Sequence, residues 1–447
     1  MLILVKLGRL TVNAQTIKKG IGINVYDASV ERLDYIFNNF EKIYLSFSGG
    51  KDSGIMLNLT IDYMRKNNIK EKIGVMILDN EGNYDFSLNF MHSILSKNLD
   101  LLDVFWCCMP ITLPCSTSAF LSEWICWGVD EEYKWIRPMP HQDYVVNFKN
   151  HNFPFFYENM GYQEFWDRFG EWYGQGKKTA CMIGIRTDES LNRFRAIVNK
   201  NKEMSNNHFW TKRNIANVYN VYPIYDWKTQ DIWVANAKFD WEYNGLYDMF
   251  YKAGLTIAQM RVASPFMSEA KQSLNMFRVL EGHTWIRLVS RVHGANFMAT
   301  YGKQIKYHDF KLPAGHNWKS FTKFLIKTLP KETAENFKNR FKQSLKYWGR
   351  VGRGLDEEVI NELFTLGIKI KTNGFTAHGN KDKQRVVIKS IPDEVDNLSK
   401  ENLSVISWKR FAITILKNDH TCKTLGLAPT HEQMKRQKEI IAKYRNI

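Results

Sequence analysis

The stretch Ile43-Tyr44-Leu45-Ser46-Phe47-Ser48-Gly49-Gly50-Lys51-Asp52-Ser53-Gly54 constrains this 447-residue chain more than any other segment. A short apolar run enters a Gly-rich turn bearing two hydroxyls, a lysine and an aspartate. Ile55, Leu57, Leu59, Ile61 and Met64 then give an apolar side to a helix. The pattern predicts strand, turn, helix, with successive turn N–H groups and the positive helix end aimed at an anion. Gly49 and Gly50 let the backbone pass close to a phosphate, Ser48 and Ser53 offer hydroxyls, and Lys51 adds a point charge. Asp52 would repel a bare phosphate, so the string also implies a Mg2+ between carboxylate and phosphate. No G-x-x-x-x-G-K-[ST] occurs, so the turn is not a Walker loop.

Around this unit the chain alternates strand and helix patterns. Val30 to Phe40 reads as a helix within an N-terminal lead-in over residues 1–40. Apolar runs follow at Ile73 to Leu78 and Leu101 to Trp106, with a helical pattern at Phe86 to Lys97. Such alternation predicts an α/β fold, a parallel sheet with helices on both faces and ligands beyond the carboxyl ends of the strands. Residues 108–178 break the pattern as an aromatic insertion with Trp124, Trp127, Trp135, Trp166 and Trp172. The alternation resumes at Thr179 to Ile185 and near Val218 to Tyr225, and the nucleotide-binding domain is expected to span 41–260. Residues 261–447 read as a mainly helical, basic extension. Trp285, Leu288 and Val292 share one face, Phe321, Phe324, Leu325 and Leu329 form the apolar side of amphipathic helices over Trp318 to Tyr347, Gly352-Arg353-Gly354 is a turn, and a charged helix is expected from about Thr430.

Two further motifs carry chemistry. Gly184-Ile185-Arg186-Thr187-Asp188-Glu189-Ser190 places an arginine at a strand end, where it can hold a second phosphate or an acidic substrate. Arg193 and Arg195 follow it, and Asp188 and Glu189 also suit a first helical turn. In Tyr222-Pro223-Ile224-Tyr225-Asp226-Trp227-Lys228-Thr229-Gln230-Asp231-Ile232-Trp233, Asp226 or Thr229 is placed to cap the helix carrying Asp231 and Trp233. Tyr243-Asn244-Gly245-Leu246-Tyr247 comes at the next turn, where it could wall a pocket.

SGGKDS, the aspartate after the second strand (Asp79), G-x-R-x-x-E-S at 184–190, P-x-x-D-W-x-x-x-D-x-W at 223–233 and Y-N-x-L-Y at 243–247 together resemble the PP-loop ATP pyrophosphatases and PAPS reductases over about residues 40–260. The resemblance implies a Rossmann-like, adenine nucleotide α-hydrolase-like five-stranded core that binds ATP or a related adenine nucleotide. It implies nucleotide contacts from Ser46, Ser48, Gly49, Gly50, Ser53, Asp79 and Gly184, catalytic roles for Lys51, Asp52 and Arg186, and Asp52 near Mg2+. The reductase nucleophile motif Cys-Gly-Leu-His is missing and no Cys-x-x-Cys occurs, so reductase chemistry and an iron–sulfur cluster are not expected. Cys107, Cys108, Cys115 and Cys126 could hold a metal, though buried small hydrophobes suit their irregular spacing better. Arg291 to Phe297, the Trp318 block, Ser407-Trp408-Lys409-Arg410 and Lys417-Asn418-Asp419 resemble a phage and bacterial subfamily, the immunoglobulin-binding regulator A type. That resemblance implies a ParB/sulfiredoxin-like partner and a co-regulatory role. Taken alone, Arg291 to Phe297 could equally be a tight helix exit.

Composition narrows the class. With 44% hydrophobic and 14% aromatic residues the chain is a folded globular protein. No apolar run reaches the about 18 residues of a membrane span. A charged, short start does not read as a signal peptide, and six cysteines without a framework suit a reducing cytoplasm. Residues 1–300 hold 33 Lys+Arg against 31 Asp+Glu, and residues 301–447 hold 29 against 15, a balance of +2 and +14. Lys381, Lys383, Arg385, Lys409, Arg410, Lys435 and Arg436 contribute to the second figure. The basic third suggests nucleic acid, an acidic protein partner or a solvated lysine surface.

Overall fold

Leu45 sits at the middle of a parallel sheet, paired with Val75 on one side and Met182 on the other. The computed structural model describes residues 22–199, 202–257, 259–270, 273–296, 312–313, 315–375, 383–395 and 405–427. The chain forms two units: Met1–Leu113, Ile125–Pro265 and Gln272–Arg291 make the first, and Pro114–Trp124, Phe266–Lys271 and Val292–Ile447 the second.

In the first unit, α1 (Val25–Asn39) is capped by Asn24, whose side-chain oxygen accepts from the Asp27 N–H at 2.9 Å. There follow β1 (Lys42–Ser46), α2 (Lys51–Lys66), β2 (Ile73–Leu78), α3 (Asp85–Ser96) and β3 (Leu102–Cys108). β2 is apolar and almost wholly buried, the signature of a strand covered on both faces. The insertion contributes β4 (Ile111–Pro114) and β5 (Glu123–Cys126), of which Pro114, Glu123 and Trp124 are counted with the second unit, and then β6 (Val145–Asn147), β7 (Met160–Gly161) and α4 (Tyr162–Gly174). Then come β8 (Thr179–Ile183), α5 (Leu191–Val198), β9 (Thr211–Ile215), β10 (Val218–Val221), α6 (Thr229–Phe239), α7 (Leu246–Lys252), α8 (Asn275–Leu280) and α9 (Gly282–Arg291).

The main sheet runs β6-β3-β2-β1-β8-β10-β9. All neighbours are parallel except β9, which is antiparallel to β10. It is a Rossmann-like sheet flanked by helices, with seven strands where five are expected. The two extra strands lie at the edges. β6 has three residues, too few to show a period, and β9 (Thr-Lys-Arg-Asn-Ile) carries the charges with which an exposed edge resists pairing. From β1 the chain progresses outward to β2 and β3, then returns to the other side of β1 as β8. The switch point therefore lies between the carboxyl ends of β1 and β8, where open α/β sheets bind ligands.

The insertion is tied down by a buried acid. Glu81, fully buried, accepts the N–H groups of Trp127 and Ile136, each at 2.8 Å, and pairs with Arg291 at 3.1 Å. Arg291 also reaches Glu131 and donates to the Ile125 carbonyl at 2.6 Å, so it is more than a helix exit.

The second unit holds α10 (Trp318–Thr328), α11 (Lys331–Arg350), β11 (Arg353–Leu355), α12 (Glu357–Thr365), β12 (Ile370–Phe375), β13 (Gln384–Ile388) and α13 (Trp408–Leu416). Its core gathers Phe337, Phe341, Trp348, Leu363, Val386 and Phe411. The expectation of a mainly helical region omits an antiparallel sheet, β11-β13-β12, and the expected turn at Gly352-Arg353-Gly354 is largely β11. Phe321 is buried as expected, but Phe324 is 49% exposed. Lys409 and Arg410 are not surface charges. Lys409 lies under Trp318 with its ammonium 3.6 Å from Glu394, and Arg410 donates to the Val405 and Thr424 carbonyls. Lys383 pairs with Asp356 at 2.9 Å and Arg385 is half-buried. Residues 1–21, Phe297, Lys381, Lys435, Arg436 and the expected terminal helix lie outside the described residues. Among the described residues no helix is long and apolar enough to cross a membrane.

Gly184 is fixed by contact. A Cβ there would stand 2.8 Å from the Asp52 carbonyl oxygen, a backbone atom that has no rotamer to yield. Gly184→Ala is expected to destabilise by about 1–3 kcal/mol in urea unfolding. Gly282→Ala, at a helical position with nothing within 4 Å of its Cβ, should shift stability by less than about 1 kcal/mol.

Candidate nucleotide site at the switch point

β1 ends at the buried Ser46, and the chain turns through Ser48 to Gly50 into α2. Gly49 holds φ at +67°, a left-handed conformation open to glycine, while its Cα faces Met91 so closely that a Cβ would lie 2.8 Å from that side chain. Ser53 braces the turn from inside. Its hydroxyl accepts the Ser48 N–H at 3.2 Å, donates toward the Gly50 carbonyl at 3.3 Å and lies 3.0 Å from the Ser48 hydroxyl. Ser48 itself is exposed. The N–H groups of Gly49, Gly50, Asp52 and Ser53 have no acceptor among the described residues. Four unpaired donors, an exposed hydroxyl and a helix N-terminus make an anion cradle.

The cradle is clamped from the far side of the domain. The Tyr247 hydroxyl accepts the Lys51 N–H at 2.9 Å, and Asn244 donates to the Gly49 carbonyl at 2.8 Å and to the Ser87 hydroxyl at 2.9 Å. Both clamp residues are buried. The Tyr243 to Tyr247 motif thus fixes the loop's backbone, a stronger role than that of a pocket wall.

Asp52 is held between two cations. Its Oδ1 lies 2.5 Å from Arg186 Nε and its Oδ2 3.0 Å from Lys51 Nζ. Burial alone would raise the Asp52 pKa, but Lys51 and Arg186 outweigh it and hold the carboxyl below its usual value. Lys51, desolvated first and only then supported by Asp52, has its pKa lowered. Arg186 is 1% exposed and also donates to the Trp227 carbonyl and the Thr229 hydroxyl, each at 3.2 Å. Thr229 is therefore committed to Arg186, and Asp226 to Arg32 at 2.6 Å. Neither caps α6. The N-cap position is Lys228, whose N–H donates to the Asp231 carboxylate at 2.6 Å.

This geometry sets two expected site residues against buried partners. Both Asp52 oxygens face cations, so the carboxylate does not fit a Mg2+ as it stands. Arg186 faces inward, bonded to Asp52 and to the start of α6. Asp79 also turns inward. Its side chain is fully buried, accepting the Trp106 indole N–H at 2.6 Å and the Glu81 N–H at 2.9 Å and pairing with Arg137. Glu189 pairs with Arg193, Ser190 caps α5 and Arg195 is exposed. All six cysteines are free and buried, and burial pushes the Cys107 and Cys108 thiols far up. Among the described residues, one group of three metal-competent side chains converges, Asp85, Glu281 and His283, and no cysteine belongs to it.

Comparison with known proteins places the chain. It is 31% identical over 415 residues to the uncharacterized protein YbdN of Escherichia coli (strain K12), covering 91% of each. The chain belongs to that protein's family. Residues 168–253 match the phosphoadenosine phosphosulfate reductase domain, and residues 254–436 match a domain of unknown function, DUF3440. The reductase-domain segment contains Arg186, Thr229, Asn244 and Tyr247, the side of the site that clamps the cradle. Among solved structures, a PAPS reductase of Candida auris is 13% identical with a TM-score of 0.29, covering 51% of this chain and 86% of its own. The U34-tRNA thiolase NcsA of Methanococcus maripaludis, solved with its [4Fe-4S] cluster, is 12% identical with a TM-score of 0.31, covering 65% and 81%. At these TM-scores the likeness carries no argument, and the fold class rests on strand order and register.

Tyr247, Asn244, Arg32 and Arg137 are the residues that motif reading undervalues, because their work is bonding to backbone and to buried acids. Asp52→Asn keeps the shape but leaves Arg186 and Lys51 without a counterion, and should cost about 3–5 kcal/mol. The sign with pH follows from the depressed carboxyl. The ion pair's stabilisation is present above the ordinary aspartate pKa and lost as pH falls through the lower folded value, so the Asn variant should lose that acid dependence. Tyr247→Phe, which orphans the Lys51 N–H, should cost about 1–3 kcal/mol. Urea titrations across acid pH measure all three.

Proposed function

We propose that this protein is an ATP-binding PP-loop enzyme that cleaves the α–β bond of ATP to adenylate an acceptor. What carries the reading is the cradle of unpaired N–H groups at Gly49, Gly50, Asp52 and Ser53, set at the switch point and clamped by Tyr247. An acceptor oxygen attacks the α-phosphorus, the bond to the bridging oxygen breaks, pyrophosphate leaves with the electron pair, and the acceptor's proton passes to solvent. The turn amides and the Lys51 ammonium neutralise charge on the phosphates. No step is assigned to a metal, because Asp52 is occupied by its two cations. The six buried cysteines offer no exposed thiol for sulfonucleotide reduction. The acceptor is nucleic acid or a partner-bound substrate.

A second reading draws on the locked Asp52. A loop that binds an anion with its carboxylate already paired suits a nucleotide-sensing co-regulator. In that reading the protein belongs to the immunoglobulin-binding regulator A-type subfamily and acts with a ParB/sulfiredoxin-like partner.

Purified protein incubated with α- or γ-labelled ATP and Mg2+, with and without DNA and RNA, separates the two. Pyrophosphate release supports the enzyme. Binding without turnover under every condition supports the sensor, and no binding overturns both. Lys51→Ala is expected to weaken ATP binding roughly 10- to 150-fold by calorimetry, the worth of a charged hydrogen bond. Because burial lowers the Lys51 pKa, affinity should fall on the alkaline side before an ordinary lysine would titrate. Lys51→Arg should hold its affinity to higher pH.

A further inference from the structure

We propose that the outer faces of α10 and α11 form a docking surface for a nucleic-acid double helix, gripped through its phosphates. Lys319, Lys323 and Lys327 stand four residues apart along α10, and Lys338, Lys342, Lys346 and Arg350 four apart along α11. Four residues advance a helix about 6 Å and turn it about 40°, so each set is a row running close to its axis, about 12 Å and about 18 Å long. All seven cations, and Lys331 at the start of α11, are exposed. The same two helices expose two carboxylates, Glu332 and Glu335.

A merely solvated helix gains from opposite charges four residues apart, whereas each step within these rows sets like charges together. Lys338 is paired, with Glu335 at 2.7 Å. Lys323, Lys327, Lys331, Lys342, Lys346 and Arg350 make no ion pair among the described residues. The opposite faces are rigidly packed, through Trp318 and Phe321 on α10 and through Phe337, Phe341 and Trp348 on α11. The repulsion is therefore built into ordered helices, where a polyanion would relieve it. Asp393 and Glu394 meet α10 at its start, where Asp393 accepts the Trp318 and Lys319 N–H groups and Glu394 accepts the Trp318 indole N–H.

The geometry favours a duplex. With both strands counted its charges recur about every 1.7 Å of axis, a line density well above the rows' one charge per about 6 Å, so binding there releases condensed counterions. Single-strand binding needs aromatics within the cationic track. Phe324 and Tyr347 are exposed, but each lies about 100° or more around its helix from the middle of the row. The surface does not depend on the nucleotide reading.

The test titrates full-length protein against labelled mixed-sequence duplex DNA and duplex RNA, single-stranded DNA and polyglutamate, between about 50 and 200 mM salt. Duplex should bind most tightly, and the two duplex arms identify which nucleic acid is preferred. Reversing two row charges, K342E/K346E or K323E/K327E, should flatten the slope of log K against log salt by about 1.8, at about 0.9 per lost contact on DNA. Either pair should weaken binding at least roughly tenfold at the low-salt end. K70E, an exposed lysine of the first unit, should change affinity less than about twofold. Should circular dichroism find the Glu variants unfolded, the Gln pairs give the same readout. No duplex binding at low salt, row variants that bind like wild type, or tighter retention of single strands or polyglutamate would each overturn the proposal.

Discussion

The contact between Asp52 and Arg186 joins the turn after β1 to the turn after β8, the two strand ends that flank the switch point. Taking two charges out of water costs several kcal/mol per ion, and one ion pair seldom repays it. Here the pair is a cluster. Lys51 takes the second carboxylate oxygen, and the Trp227 carbonyl and Thr229 hydroxyl take further guanidinium N–H groups. Through these bonds the start of α2, the end of β8 and the start of α6 are set relative to one another. The contact needs Gly184, because any Cβ there would push β8 away from the backbone of α2.

The cluster also explains why the cradle's donors stay unpaired without collapse. Tyr247 and Asn244 satisfy one loop N–H and one loop carbonyl from outside, and Ser53 satisfies another N–H from below. The loop is thereby held open by its neighbours together with the bonds Ser53 makes within the turn. A preformed site of this kind avoids paying ordering entropy when a ligand arrives.

Much of this was legible in the residue order. Ile73 to Leu78 reads as a buried strand and is one, and the run from Ile55 to Met64 lies inside α2, because apolar periodicity reports burial directly. Edge strands were not legible. β9 is polar on the solvent side and β6 is too short, so neither has a period to read. The SGGKDS string announces an anion-binding turn, but which acid faces a ligand depends on distant cations. Asp52 and Asp79 are spoken for by Arg186 and Arg137, residues 134 and 58 positions away in the chain. Lys409 and Arg410 misled for the same reason. Charge is written in the sequence, whereas the aromatic and carbonyl groups that bury it are not.

The division of the chain has a consequence for biosynthesis. Pro114–Trp124 and Phe266–Lys271 belong to the second unit although they are made within the span of the first. The Ser118 carbonyl there lies 3.0 Å from His420 Nε2, and Trp124 packs edge-on against Phe266. On the ribosome these two segments emerge about 130 to 310 residues before Val405 and His420 of the same unit. They precede the rest of their unit in the chain, while the first unit can complete its own sheet. A nascent chain can thus complete its first unit early, but its second is assembled from three separate passes of one thread and closes only once the third has emerged.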